Sequence, residues 1–153
     1  MRAFFASFFV FALLAGCSPG QGNSQLPKAR IVIDTAKGPA AFTVEMATDD
    51  ASREKGLMYR TDLKPDAGML FDFHKEGMHA FWMKNTPLSL DMLFVRADGT
   101  ISTIAPNTVP YSVDPIPSSE PVRAVLEIKG GRAAALGIEP GEKVHAAIFG
   151  DGP

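Results

Sequence analysis

The chain has 153 residues, 15 Lys and Arg against 17 Asp and Glu, and one cysteine. That length holds a single domain, the slightly acidic balance gives no basic stripe for nucleic acid, and a lone cysteine excludes any intramolecular disulfide. The core must hold the fold without covalent staples.

Residues 1–16 carry one charge, at Arg2, followed by an uncharged apolar stretch from Ala3 to Ala15. This reads as a secretory signal peptide. It is too short to span a bilayer comfortably and has no polar face to suit an amphipathic helix. Leu14-Ala15-Gly16-Cys17 resembles the lipobox of bacterial lipoproteins. The resemblance implies cleavage before Cys17, acylation of its thiol and new amino terminus, and a mature chain starting at Cys17. Each buried acyl methylene contributes about 0.8 kcal/mol, so several chains anchor a protein without a transmembrane helix. Ser18 follows where an aspartate would hold an enterobacterial lipoprotein at the inner membrane, so the expected location is the outer membrane, facing the periplasm. Residues 17–27 are small, polar and broken by two prolines, a tether with a typical reach of about 17 Å.

The single domain then runs from 28 to 153. Ala29 to Asp34 and Ala40 to Met46 predict a hairpin with a loop at 35–39. Thr48 to Gly56 carries acids first, bases last and a glycine stop, the pattern of a short helix. GMLFDF (68–73), MHAFWMK (78–84), LDMLFVRA (90–97), TISTIA (100–105), VRAVLEIK (122–129) and VHAAIFG (144–150) read as strands, with a tight Asp98-Gly99 turn and a second short helix at 132–136. Strands without regularly intervening helices predict a mainly β fold, a compact antiparallel barrel or jelly-roll-like sandwich with one or two short helices. Residues 105–121 hold five prolines and form a long connection, either a binding loop or a rigid strap. Tyr111, Asp114, Ser118 and Ser119 are its candidates for contact.

GLMYR (56–60), GMLFDF (68–73), FWMKNTPLSLDMLFV (81–95), the DG turn with TISTI (98–104), PSSEPVRAVLEIKGG (117–131) and GIEPGEKV (137–144) resemble, in order, the signature blocks of the bacterial and archaeal domain of unknown function 192 family, DUF-192. The resemblance implies a compact β domain, often secreted or lipid-anchored, with no established activity. Arg60, Trp82, Lys84, Asn85, Asp91 and Glu127 match its recurrent polar and aromatic positions.

Chemistry must supply the roles. A carboxylate at Asp91, inside an apolar strand, lies either at a solvated strand end or buried with a partner, Lys84, Arg60 and Arg123 being the available cations, because an unpaired buried charge costs several kcal/mol. If 78–84 and 90–97 form a hairpin with 84 opposite 91, Lys84 meets Asp91 and Trp82 meets Leu93 on one face; a slip of one residue separates them. The first register makes either a braced turn or a grip on a polar ligand against an indole. Met58, Met69, Met78, Met83 and Met92 with His74, His79 and Trp82 suggest a Cu(I) alternative, weakened because His79 and Met83 lie about 13 Å apart along a strand. A hydrolase alternative would use Asp91 with Glu127 as a carboxylate pair, or Ser118 or Ser119 with His79 or His145. The leading expectation is a non-catalytic, lipid-anchored periplasmic module that binds a small polar or envelope-derived ligand or a partner protein. Its site comprises Trp82, Lys84, Asn85, Asp91, Arg60, Glu127, Tyr111 and Ser118, with no cofactor, no metal and no nucleic acid; the membrane is reached through Cys17.

Overall fold

The computed structural model describes residues 26–153; the expected signal peptide, Cys17 and the tether as far as residue 25 lie outside them. The elements are β1 (Lys28–Ile33), β2 (Ala40–Ala47), α1 (Asp50–Lys55), β3 (Ala67–Gly77), β4 (Ala80–Phe81), β5 (Leu90–Val95), β6 (Ile101–Ala105), β7 (Ile116–Pro117), β8 (Val122–Lys129), α2 (Arg132–Leu136) and β9 (Val144–His145), then a 3-10 turn at Ala147–Phe149. Seven strands form one curled sheet in the order β6-β5-β8-β3-β2-β1-β9, and an isolated bridge from Thr100 to Lys143 joins its two edges at one end. The fold is mainly β, a half-barrel, as the strand pattern predicts.

Three expectations need correction. The sheet is not wholly antiparallel, since β2 and β3 run parallel, with Val44 opposite Gly68. Parallel neighbours need a crossover of a dozen or more residues, and the segment carrying α1 supplies it. The predicted 78–84 strand shrinks to Ala80–Phe81 and pairs not with β5 but with β7, inside the proline-rich connection. The predicted 144–150 strand likewise stops at His145 before the 3-10 turn.

α1 is short and closed by its own residues. The Asp49 carboxylate accepts the Ser52 N–H at 2.8 Å while the Ser52 hydroxyl accepts the Asp49 N–H at 3.2 Å, a reciprocal cap. Gly56 ends it at φ +47°, and a Cβ there would stand 3.2 Å from Phe71 Cζ, so glycine lets the helix end settle onto that ring.

The central strands are buried on both faces. Leu70, Leu93, Leu126 and Ile128 point into the half-barrel with Ile31, Ile33, Phe42 and Val44. Met69, Phe71, Met92, Phe94 and Val125 point the other way, into a second core with Leu57, Met83 and Leu90. β4, β7 and the 105–121 connection cover this second core. The connection is bolted down at Thr108, whose N–H donates to the Leu90 carbonyl at 2.8 Å and whose buried hydroxyl accepts the Leu90 N–H at 3.0 Å. It is a strap rather than an open loop.

Asp91 is fully buried near the start of β5, on the half-barrel side. Its carboxylate accepts three backbone N–H groups, from Asn107 at 2.8 Å, Gly131 at 3.0 Å and Ala133 at 2.8 Å. Gly131 stands at the N-cap of α2 and has no side-chain oxygen to offer, so β5 supplies the cap from a distance and ties strap, strand and helix together. Asp91→Ala is expected to cost about 3–5 kcal/mol, because three donors lose their acceptor inside the protein. Urea unfolding checks this, and an unchanged midpoint would show that the carboxylate does not hold the three segments.

Candidate functional site

Strand register places Glu127 in a row with Met69 of β3 and Met92 of β5, facing the second core. The residue is only 4% exposed. Neither a hydrogen bond nor a charge among the described residues offsets its burial, which pushes the carboxyl up to about 8. At neutral pH Glu127 is therefore mostly a neutral acid, able to donate one hydrogen bond and accept others.

Glu127 contributes to the wall of a cleft of about 270 Å³ between α1 and the 78–82 segment. Phe71, Phe73, Phe81 and Trp82 give it aromatic walls, and Arg53, Glu54 and Lys55 stand on its α1 side. Phe81 meets Phe71 edge-to-face at 5.1 Å between centroids, and the His79 ring stacks on Phe73 at 3.6 Å. Burial, and secondarily the Arg53 charge, lowers the His79 imidazole pKa, which keeps it uncharged at neutral pH; its Nε2 is buried without a partner among the described residues. Arg53 is already committed, donating to the carbonyls of Thr48 and Asp72, each at 2.7 Å, and to the Asp50 carboxylate at 2.6 Å.

A second hollow, of about 620 Å³, lies on the other side of the α1 end and includes Arg60 and Glu45. Their two-pronged ion pair, at 2.7 and 2.5 Å, satisfies both groups. The Arg60 hydrogen bonds hold the Glu45 carboxyl below its ordinary range. The larger hollow thus has a satisfied polar pair, and the smaller one is bordered by an acid that no described residue hydrogen-bonds.

The expected site residues do not gather at one hollow. Trp82 and Glu127 line the cleft, and Arg60 lines the second hollow. Lys84 is exposed, with its ammonium 5.5 Å from the Trp82 ring centroid. It has no ion pair with Asp91, because β4 and β5 do not pair and the Asp91 carboxylate is sealed among backbone amides. Asn85 adopts φ +57°, a left-handed conformation asparagine tolerates, and its carbonyl accepts the Tyr59 N–H at 2.7 Å. The Thr86 carbonyl accepts the Tyr111 N–H at 3.1 Å, and the Met83 N–H donates to Ser112 at 2.9 Å. Residues 83–86 therefore serve as a hub that ties the segment after α1 to the strap. Tyr111 is 63% exposed.

Both catalytic alternatives lose their geometry. Asp91 and Glu127 project from opposite faces of the sheet, since Asp91 pairs with Ile128 and Glu127 with Met92, so they cannot flank one bond. Ser118 is buried, and its hydroxyl accepts the His79 backbone N–H at 3.0 Å, which locks β7 beside β4. His145 instead meets Asp34 and Asp151, at 2.8 and 3.0 Å, and Ser119 is exposed. The copper alternative disperses too. Met69, Met83 and Met92 are core residues, Met78 is 62% exposed, and the His74 ring contacts the Thr48 carbonyl at 2.8 Å. Arg53, Phe71, Phe73 and Phe81 were not among the expected site residues. The alternation of Phe71 and Phe73 across Asp72 was the available signal, but which face they shared with Glu127 depended on strand order.

Glu127 makes stability fall with rising pH. The unfolded chain releases this proton near the ordinary glutamate value of 4.5, the folded chain near 8, so folding is penalised increasingly between those limits. The slope reaches at most about 1.4 kcal/mol per pH unit. Glu127→Gln is expected to flatten this part of the profile, with the gap in melting temperature widening from pH 5 to pH 8. Parallel melting curves for the two proteins would refute a buried, unpaired acid.

The family model DUF192, described as Uncharacterized ACR, matches residues 31–146. No curated protein matches the chain. Among solved structures, a protein from Sinorhizobium meliloti 1021, provisionally named a transcription regulator, shares 48% identity over 83% of this chain and 99% of its own, with a TM-score of 0.81. A protein of unknown function from Novosphingobium aromaticivorans DSM 12444 shares 40% identity over 91% of this chain and 99% of its own, with a TM-score of 0.78. Matched from β1 to just past β9, and folded like two close relatives, the chain belongs to the DUF192 family.

Proposed function

We propose that this protein is a binding module of the cell envelope, lipid-anchored at Cys17 on the periplasmic face of the outer membrane, whose cleft takes a small ligand with an apolar body and one polar group. The anchoring half of the reading rests on the signal-like residues 1–16 and the Leu14–Cys17 motif. The binding half rests on one observation, a carboxyl without a partner among the described residues at an aromatic-walled cleft. A fold does not bury an acid at the cost of several kcal/mol for packing alone when a methionine flanks it on each neighbouring strand. A ligand that hydrogen-bonds or ion-pairs with Glu127 would recover that cost.

The cleft lies just below the roughly 300–1,000 Å³ common for small-molecule sites, which favours a compact ligand. Trp82, 51% exposed, stands at its edge with Lys84 beside it. Asp91, Ser118 and Asn85 support the module by holding strap, ribbon and hub in place. The regulator name of the Sinorhizobium relative gains no support from charge, as acidic residues outnumber basic ones 17 to 15.

Binding is tested by titrating small alcohols, amines and amides into the labelled protein and following amide shifts. Perturbations are expected to centre on Gly56, Phe73, Phe81 and Trp82 and to vanish in Ala80→Trp, which fills the cleft from the exposed β4 ribbon. Shifts that survive Ala80→Trp would place binding elsewhere and defeat the reading. For the anchor, Cys17→Ala is expected to abolish fatty-acid labelling and release the protein from membranes; continued labelling would overturn it.

A further inference from the structure

The groups around Glu127 narrow the chemistry of the ligand. Its neighbours across the sheet, Met69 and Met92, are uncharged. α1 presents Gly56 and Leu57, with Arg53, Glu54 and Lys55 also bordering the cleft, and the 78–82 segment presents the uncharged His79 ring, Phe81 and Trp82. Arg53 is taken up by Asp50 and two carbonyls, and among the described residues no cation, Lys55 included, offsets the burial of Glu127. The aromatic faces already show their preference. The Arg53 guanidinium sits 5.6 Å from the Phe73 centroid and the Lys84 ammonium 5.5 Å from that of Trp82. With His79 stacked on Phe73 as well, the rings left to a ligand are Phe71, Phe81 and Trp82.

We propose that the ligand is an organic ammonium ion, seated with its cationic head against Glu127 and among the rings of Phe71, Phe81 and Trp82. This deepens the cleft-binding reading and rests on it. Aromatic faces attract a weakly hydrated alkylammonium through their quadrupoles, and a desolvated carboxylate adds the opposite charge where screening is weakest. As the ammonium enters, the Glu127 proton leaves to solvent, so the empty site is neutral and the filled site is an ion pair. A tetraalkylated head suits the site better than a primary amine, because it gives up less hydration on entering an aromatic pocket.

Three probes of the same shape and different charge separate this from other ligand classes: choline, its neutral isostere 3,3-dimethylbutanol, and the anion 3,3-dimethylbutanoate. Calorimetric titration of the folded protein is expected to rank choline at least about tenfold above the alcohol and further above the anion, the scale of a desolvated cation–π and ion-pair contribution. Choline affinity should rise about tenfold from pH 7 to pH 9, with nearly one proton released per choline at pH 7, since the carboxyl must ionise first. Trp82→Ala should weaken choline and leave the alcohol little changed, and Glu127→Gln should erase the pH dependence. Equal binding of choline and alcohol, preference for the anion, or a choline affinity flat in pH would each overturn the ammonium assignment. In those cases amide shifts at Phe81 and Trp82 caused by any probe would still uphold the cleft. If none of the three probes moves those amides, the ammonium assignment fails, while the alcohol, amine and amide titrations decide the cleft reading separately.

Discussion

Burial of β3, β8 and β5 on both faces is the constraint on which the rest of this structure depends. A strand with one wet face sorts its residues simply into core and solvent. Here the middle positions of three adjacent strands, Gly68–Asp72, Leu90–Val95 and Ala124–Ile128, must each satisfy one of two interiors, so each polar residue among them has to be matched to the side where its requirement can be met. Asp91 and Glu127 fall on opposite sides and meet opposite fates. On the half-barrel side, the backbone amides of Asn107, Gly131 and Ala133 converge on Asp91. On the outer side, the neighbours of Glu127 are methionines and aromatic rings that offer it no hydrogen bond.

The outer core would be exposed without the strap and its two-residue strand. β4 and β7 form too small a ribbon to be stable alone. They are held by the Thr108 bolt to β5, the Ser118 lock to His79, and the hub at 83–86. The left-handed residues Tyr59, Asn85 and Tyr111 lie at this hub, where adjoining loops hold each conformation. The polar cluster of the Trp-Met-Lys-Asn-Thr block is thus mainly architecture. Its functional share is Trp82, which the hub holds at the edge of the cleft.

Charge is managed differently away from the cleft. Burial pushes the Asp72 carboxyl up, but hydrogen bonds from Arg123 and the His74 amide outweigh it and hold it below its usual range. Arg60 does the same for Glu45, and Arg96 pairs with Glu120 at 2.6 Å. Where the fold needs a carboxylate it supplies a cation or an amide. Glu127 breaks that rule at the one place where an aromatic-lined cleft reaches it.

The sequence alone determined the class of fold, most of the strands, both short helices, the Asp98-Gly99 turn and the family, because these depend on local periodicity, turn chemistry and residue order. For Asp91 it left two choices, a solvated strand end or a buried partner, since a carboxylate in LDMLFV admits little else. It did not disclose that the partner was backbone rather than Lys84. That depended on β5 pairing with β8 and β6 instead of with the segment before it, a choice made by long-range burial and invisible to spacing along the chain. Glu127 was recognisable as distinctive, yet its environment was set by register across three strands from distant parts of the sequence. Tertiary structure alone decided which face it shares and with whom, because alternation says only that neighbouring residues point apart, never what waits on either side.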